Sequence, residues 1–354
     1  MNIARPAPVL SVVLPVRNGE TFLKAALDSI RAQTFSEFEL IVVDDGSTDG
    51  TSEILAATND PRLRIIRNTT RRGIAGSLNR GFESCRGRYV ARMDADDISL
   101  PTRFARQVRF LEAHGEVGMC GTWVRMFSGR WSRDRRLESD PERMRCSLLM
   151  FNVLSHPSVM LRRELFTRHG LAYDESFENS EDYEMWTRAS LLFPPGNLRE
   201  VLLLYRVHPE QAGRRVRAVR LQEGERIRRA HLDRLGVRLS LEEEALHHAV
   251  SMGEAPAMGN WLGTAAGWLE KILDANARHH LFAASTLRRV LLDQLLLTYA
   301  RDVRFRPQAY GPFLRLPLRG ALGPRAMLSL IRRAVSGALD DRRFVVNSPP
   351  ANSP

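Results

Sequence analysis

Two short acidic runs, each directly after a stretch of apolar residues, constrain the fold of this chain more than any other feature. The run DDGSTDG at 44–50 follows the apolar residues 40–43, and the run DADD at 94–97 follows residues 89–93. A short continuous apolar run is typical of a strand buried on both faces of a parallel sheet. Because ligands of such sheets bind beyond the carboxyl ends of the strands, both acidic runs are candidate site residues.

Strand and helix patterns alternate along the first hundred or so residues. Strands are predicted over 9–14, 40–43, 63–67 and 89–93, and helices over 22–30, 52–57, 74–84 and 101–113. This alternation predicts βαβ units and a parallel sheet. Residues 115–210 continue with mixed patterns, and residues beyond 211 are mostly helical in pattern. We therefore expect an α/β fold, with a mostly parallel sheet flanked by helices and an additional mainly helical C-terminal region.

The length of 354 residues favours about two domains. We expect an α/β domain over 1–210 that carries both acidic runs, and a basic helical region over 211–346. The tail over 347–354 is rich in Pro, Ser and Asn, and it is predicted to be disordered.

The formal net charge is +11, and 50 of the 52 basic residues are arginines because only Lys24 and Lys271 are lysines. The excess of arginine over lysine is typical of a GC-rich genome. The alternative interpretation is that the net positive charge attracts anions such as nucleoside diphosphates and acidic lipid. The basic stretches over 214–234 and 314–335 are either solvated faces or a peripheral contact with an anionic membrane. No zinc-finger or RNP-like pattern accompanies the charge, so we expect no nucleic-acid partner.

The cysteines and the hydropathy bear on the location of the protein. Cys85, Cys120 and Cys146 are far apart and form no CxxC pair, which disfavours disulfides and zinc sites. No window offers about 18 uninterrupted apolar residues, so no membrane span is predicted. We expect a cytoplasmic protein, with a peripheral position at the inner face of the cell membrane as the alternative.

The chemistry of the acidic runs leaves two interpretations for each. Asp94 and Asp96 alternate at a strand end and project to the same side, which suits a hard divalent cation that also takes phosphate oxygens. The alternative is an acidic, turn-forming loop. Asp45 either accepts hydrogen bonds from a base or ribose, or belongs with its neighbours to a turn before the next helix.

A third acidic position lies on a predicted helix. Asp182 shares one helix face with the apolar residues Met185, Trp186 and Ala189. An acid that points the same way as apolar side chains must be paired or face a cavity. The alternative is that Glu181 and Asp182 only complement the helix dipole.

Four motifs in series closely resemble the family-2 glycosyltransferases, which adopt the GT-A fold. They are SVVLPVRNG at 11–19, LDSIRAQTF at 27–35, ELIVVDDGS at 39–47 and DADD at 94–97. The resemblance covers roughly residues 9–210. It implies a non-processive, inverting, metal-dependent enzyme of polysaccharide biosynthesis, which moves a sugar from a nucleotide-sugar to a hydroxyl of a cell-surface glycan or lipid-linked saccharide.

The resemblance also implies roles at matching positions. Residues that would bind the nucleotide-sugar are Pro15, Val16, Arg17, Asp45, Gly73, Asn79 and Asp94. Asp96 would hold Mn²⁺ or Mg²⁺ with His208 as a further ligand, and Asp182 would be the general base. Glu181 and His156 would lie on the acceptor side. His208 could instead be structural or solvated, and His156 could be a turn residue before a strand.

The position of Arg17 is often aromatic in relatives, which leaves the base open. A UDP-sugar is favoured, with GDP and dTDP as alternatives. Two other functions remain open: a catalytically inactive GT-A-like nucleotide-binding protein, and a sugar-phosphate nucleotidyltransferase. A sugar-phosphate nucleotidyltransferase would require a Gly-rich phosphate loop after the first strand. The segment PVRNG at 15–19 is not such a loop.

Overall fold

The computed structural model describes residues 7–208, 217–254, 256 and 261–305. The chain divides into two compact units. The first comprises Met1–Pro141 and Val153–Gly224, and the second comprises Glu142–Asn152 and Glu225–Pro354. The boundary predicted at residue 210, the tail over 347–354 and the basic stretch over 314–335 lie outside the described residues.

The first unit is built on one sheet. Its strands are β1 Leu10–Val16, β2 Phe38–Asp44, β3 Leu63–Arg67, β4 Tyr89–Arg92, β5 Ile98–Ser99, β6 Met119–Ser128, β7 Trp131–Arg135, β8 Met160–Arg162 and β9 Pro195–Arg206. Its helices are α1 Leu23–Arg31, α2 Thr51–Ala57, α3 Gly73–Glu83, α4 Arg103–Ala113, α6 Arg163–Arg168 and α7 Glu181–Ala189, with a 3₁₀ turn at His156–Ser158. Helix α5 Pro141–Ser147 passes into the second unit.

The strand order is β3-β2-β1-β4-β8-β6-β9-β5, and β7 pairs with β6. Strand β1 pairs in parallel with β2 and β4, and β2 pairs in parallel with β3. This part confirms the predicted parallel sheet. The other half is mixed, because β8 runs antiparallel to both β4 and β6 whereas β6 and β9 are parallel. Because β1, β2 and β4 are parallel, their carboxyl ends meet at one edge of the sheet.

Apolar burial explains why these local elements form. Strand β2 is buried along its whole length, as the continuous apolar run predicted. Helix α1 buries Leu23, Ala26, Leu27 and Ile30, which lie three or four residues apart and so share one face.

The second unit is helical in the part that the structure describes. Its helices are α8 Arg217–Arg234, which begins in the first unit, α9 Leu241–Met252, α10 Trp261–His279 and α11 Ala284–Phe305. Trp268, Leu246 and Leu291 are fully buried in its core. Ser240 and Glu243 form a capping box at the start of α9, which satisfies two backbone N–H groups. The helical C-terminal region is thus confirmed.

Among the described helices, none combines the length and the apolar character that crossing a membrane requires. The cytoplasmic location and the peripheral membrane contact remain predictions.

Candidate active site

The loops that follow β1 and β2 are tied together by hydrogen bonds. The Asn18 N–H donates to Ser47 Oγ at 3.0 Å, and the Gly19 N–H donates to Thr51 Oγ1 at 2.8 Å. The three residues predicted to line the nucleobase pocket lie at this edge: Pro15 and Val16 end β1, and Arg17 follows it. Val16 is buried, whereas Arg17 is exposed.

The Asp45 carboxylate anchors the loop that precedes α3. Its Oδ1 accepts hydrogen bonds from the Arg72 N–H at 2.8 Å and the Asn68 amide at 2.7 Å, and its Oδ2 accepts from the Gly73 N–H at 3.0 Å. Gly73 has a φ of 74°, which a side chain would strain. Asp45 therefore shapes this edge of the site, and its contact with a nucleobase stays a prediction.

Asn79 is predicted to contact the nucleotide, and its side chain also has a structural role. Its Nδ2 donates to the Tyr173 carbonyl at 2.9 Å, and its Oδ1 accepts from the Tyr173 N–H at 2.8 Å. The amide thus holds the segment before α7 against α3. Its contact with the nucleotide remains a prediction.

Three carboxylates gather just beyond the end of β4. Asp94, Asp96 and Asp97 each offer an oxygen, and these oxygens lie within 4.8 Å of one another. Burial and repulsion from Asp96 raise the pKa of Asp94 to about 6, although Arg92 opposes this shift. Burial, followed by repulsion from Asp96 and Asp94, raises the pKa of Asp97 well above its usual value. The negative charge of these three carboxylates is therefore not fully balanced by the positive side chains around them.

Two buried arginines, Arg92 and Arg103, partly neutralise the negative charge of the three carboxylates. The Arg92 guanidinium forms an ion pair with Asp94. Arg103 is fully buried and donates to the Arg92 carbonyl at 2.7 Å. Burial lowers the pKa of the Arg103 guanidinium to about 9. Neither arginine donates a hydrogen bond to Asp97, whose Oδ2 is buried without a hydrogen-bond partner in the part of the chain that the structure describes.

The end of β9 holds the acidic loop from the other side. His208 Nε2 lies 2.9 Å from Asp96 Oδ2, so the two predicted metal ligands meet. Arg206 donates from Nε to the Asp96 carbonyl at 2.7 Å, and its N–H donates to Asp97 Oδ1 at 2.7 Å. The Arg206 guanidinium lies between two aromatic rings, 4.5 Å from the centroid of Phe22 and 4.6 Å from that of Phe127. The hydrogen bonds to the acidic loop and the contacts with both rings hold the Arg206 side chain in place.

A second group of polar residues forms around the start of α7. His156 Nδ1 lies 3.4 Å from Glu181 Oε1, and His156 Nε2 lies 3.0 Å from the Tyr173 hydroxyl. All three side chains are buried. Asp182 is partly buried, while Met185, Trp186 and Ala189 on the same face are buried in the core.

Burial dominates the electrostatics of this second group. It raises the pKa of Glu181 to about 7 and also raises the pKa of Asp182. Burial and the nearby Arg92 lower the pKa of His156 well below its usual value, so the imidazole is neutral at pH 7. A carboxylate with a raised pKa is a stronger base, which suits the role predicted for Asp182.

The sequence alone did not select Asp97, Arg92 or Arg206 as site residues. Asp97 belongs to the acidic run, so its position was a usable signal. No sequence signal marked Arg92 or Arg206, because each acts through a contact with Asp94 or Asp96 that only the folded chain creates.

Comparisons with known proteins identify the chain. The model of the family described as Glycosyl transferase family 2 matches residues 11–170. The amylovoran biosynthesis glycosyltransferase AmsE of Erwinia amylovora is 31% identical over 213 residues, which cover 58% of this chain and 79% of AmsE. The chain belongs to glycosyltransferase family 2.

Other relatives agree with this membership. This family 2 glycosyltransferase is 30% identical over 208 residues to the O-antigen biosynthesis glycosyltransferase WbnJ of Escherichia coli, covering 56% of this chain and 80% of WbnJ. The crystal structure of S. aureus TarS residues 1–349 in complex with UDP-GlcNAc is similar with a TM-score of 0.56 at 18% identity, covering 93% of this chain and 91% of that one. This likeness shows the shared GT-A fold.

Proposed function

We propose that this family 2 glycosyltransferase is metal-dependent and inverting. It would transfer a sugar from a nucleoside-diphosphate donor to a hydroxyl group of a cell-surface glycan or lipid-linked saccharide. The observation that carries the proposal is the meeting of Asp96 and His208 beside Asp94 and Asp97. The names of AmsE and WbnJ, which refer to amylovoran and O-antigen biosynthesis, support the class of acceptor.

The residues at the end of β4 fit a divalent cation. Carboxylate oxygens with one imidazole nitrogen are a donor set that Mn²⁺ accepts, and carboxylates also suit Mg²⁺. Asp97 Oδ2 is buried without a hydrogen-bond partner among the described residues, and burial, together with repulsion from Asp96, raises the pKa of Asp94. A positive charge at this point would relieve both features. Asp96 and His208 would hold the cation, which supplies neutralisation of negative charge on a leaving diphosphate.

Asp182 would act as the general base. Its carboxylate would take the proton from the acceptor hydroxyl while that oxygen attacks the anomeric carbon of the donor sugar. A single displacement of this kind inverts the configuration at that carbon. The carboxylate is held by the Tyr183 N–H, which donates to Asp182 Oδ1 at 2.7 Å. The raised pKa of Asp182 favours proton abstraction.

The neighbouring side chains would orient both substrates. Glu181 and His156 would line the acceptor side, and Asp45 with the end of β1 would define the nucleobase pocket. We favour a UDP-sugar as the donor. GDP- and dTDP-sugars are the alternatives, because exposed Arg17 replaces the aromatic residue that relatives often carry at this position.

Calorimetric titration with UDP, GDP and dTDP, with and without Mn²⁺, tests the donor site. We expect one nucleotide to bind wild-type protein in a Mn²⁺-dependent manner and Asp96→Ala to lose this binding. Asp233→Ala is the matched control, because it removes an exposed carboxylate in the second unit. If folded wild-type protein binds none of the three nucleotides, the donor-site assignment is wrong and an inactive relative is the better interpretation.

A further inference from the structure

The segment that leads into α7 is irregular, although it delivers the proposed base. Residues 171–180 contain no helix or strand, and α7 begins at Glu181. Asp182 is therefore the second residue of the helix and lies in its first turn. Ser180 occupies the N-cap position, but within the described residues its side chain forms no capping hydrogen bond. Contacts from elsewhere in the chain consequently decide where this helix begins.

Glu223 supplies such a contact from α8, in the part of that helix that belongs to the first unit. Its Oε1 accepts a hydrogen bond from the Glu178 N–H at 2.7 Å, and its Oε2 accepts one from the Asn179 N–H at 3.1 Å. Because each oxygen takes one of two successive N–H groups, the carboxylate fixes both the position and the orientation of the 178–179 peptide.

Burial distinguishes Glu223 from its neighbours on α8. Gln222 and Glu225 are exposed, whereas Glu223 is only 8% exposed. A buried carboxylate is unfavourable unless it is hydrogen-bonded, so the two N–H groups stabilise Glu223 in this position. Helix α8 and the segment before α7 therefore hold each other at this point.

The rest of α7 is held independently of Glu223. Met185, Trp186 and Ala189 are buried in the core, and the Glu184 N–H donates to the Ser180 carbonyl at 3.0 Å within the first helical turn. Loss of the Glu223 carboxylate would thus leave the helix in place and release the residues just before it. Because Asp182 lies three residues after the held peptide, its carboxylate would lose its fixed position.

We propose that Glu223 is a positioning residue for the reaction: by holding the 178–179 peptide, it aligns the Asp182 carboxylate with the acceptor hydroxyl. This inference rests on the proposed function, because it takes Asp182 as the base. It goes further by assigning a part in the reaction to α8, a helix that follows the α/β domain predicted over 1–210. Alignment matters because a misplacement of about 1 Å can cost about 100-fold in rate.

Steady-state kinetics and calorimetry on the full chain test this role. The rate is that of nucleoside diphosphate release with Mn²⁺ and water as the nucleophile, from UDP-glucose, UDP-N-acetylglucosamine and GDP-mannose as donors. We expect Glu223→Ala to lower kcat by about 10- to 100-fold, because the base is no longer aligned. The affinity for the nucleoside diphosphate should stay within about twofold of wild type. Glu223→Gln keeps the volume but offers one acceptor oxygen instead of two, and it serves if Glu223→Ala does not fold.

A double variant separates positioning from a general structural role. Asp182→Asn combined with Glu223→Ala should be no slower than Asp182→Asn alone, because Glu223 acts through Asp182. General damage to the fold would instead multiply the two losses. Hydrogen exchange offers a readout besides activity: the backbone N–H groups of residues 178 and 179 should exchange at least about tenfold faster in Glu223→Ala.

The charge of Glu223 has a second effect that the pH profile separates from positioning. Burial raises the pKa of Glu181, and repulsion from Glu223 adds to this shift. Removal of a negative charge alone shifts the pH dependence of kcat, whereas loss of alignment lowers kcat on the pH plateau as well. The expected result is the lower plateau.

The matched control is Glu225→Ala, which removes a carboxylate from an exposed position on the same helix and should keep the wild-type kcat. A wild-type plateau kcat in both Glu223 variants would overturn the inference, as would multiplied losses in the double variant. Unchanged hydrogen exchange at residues 178 and 179 would overturn it independently of activity. A wild-type rate for Asp182→Asn would instead contradict the proposed function.

Discussion

The two units of this protein bury ionisable groups in opposite ways. In the second unit, His231 and His247 lie inside the helical core, and burial lowers the pKa of each to about 3. Both are therefore neutral at pH 7. In the first unit, Asp94, Asp96 and Asp97 crowd together at one strand end. A core can bury a group that becomes neutral, whereas like charges held together at a strand end are an arrangement that the proposed cation would stabilise.

Among the substitutions that test this comparison of the two units, Asp182→Asn should have the largest effect on activity. Loss of the general base should lower kcat by about 10²- to 10⁴-fold, because the acceptor hydroxyl keeps its proton. Nucleotide affinity and the unfolding temperature should not change. The measurement is the rate of nucleoside diphosphate release from the donor, with an acceptor or water as the nucleophile.

Glu184→Gln is the control for this variant. Glu184 lies on the same helix and pairs with Arg188 at 2.6 Å. It should retain the wild-type rate within about twofold, because its carboxylate pairs with Arg188 on the same helix and lies outside the proposed site. A wild-type rate for Asp182→Asn would remove this residue from the reaction.

Acidification should affect the second unit through its buried histidines. In the unfolded chain their pKa is near 6.5, so between about pH 6.5 and pH 3 only the unfolded state takes up protons on these rings. Stability is fully present above pH 6.5 and falls as the pH decreases. At pH 5 the loss should reach about 2 kcal/mol for each histidine.

Denaturant unfolding at pH 7 and pH 5 measures this loss. His247→Gln should flatten the pH dependence, because glutamine does not titrate. His114→Gln is the control, since His114 is exposed. The same pH dependence in wild type and His247→Gln would mean that His247 is not the group that titrates.

Arg206→Met should have a smaller effect and should act on the site. It removes the hydrogen bond to the Asp96 carbonyl while keeping a side chain that can pack between Phe22 and Phe127. We expect Mn²⁺-dependent nucleotide binding to weaken by about tenfold. Arg199→Met on the same strand is the control, because Arg199 is exposed. A lower unfolding temperature with unchanged nucleotide affinity would show a purely structural role.

Glu181→Gln should give the smallest effect. The Glu181 carboxylate raises the pKa of Asp182, so its removal should lower that pKa. The acid limb of the kcat/KM profile should then move to lower pH by less than about one unit. A shift to higher pH would contradict this relation between the two carboxylates.

Much of the fold was predictable from the sequence because the relevant signals are local. The buried strands β1 to β4 and the helices between them follow from short apolar runs and from helical spacing, and each is close to its predicted bounds. The mixed second half was harder, since β8 has only three residues and pairs antiparallel with strands distant in sequence. Short strands leave little periodicity to recognise.

The residues of the candidate site likewise fall into those that local sequence patterns indicate and those that only the fold brings together. Asp45, Asp94 and Asp96 are visible in the sequence because a strand delivers each of them to the edge of the sheet. The contact of His208 with Asp96 joins residues 112 positions apart, and no local pattern marks it. Such a contact depends on the pairing of β9 with β6 and β5.

The sequence by itself therefore determined the family, the order of strands and helices in the N-terminal half, and the acidic residues at the strand ends. Only the tertiary structure decided which side chains meet there. The reason is physical: local spacing fixes the face on which a side chain lies, whereas the strand order β4-β8-β6-β9 fixes its neighbours. The charges that Arg92 and Arg206 bring to the site are consequences of that order.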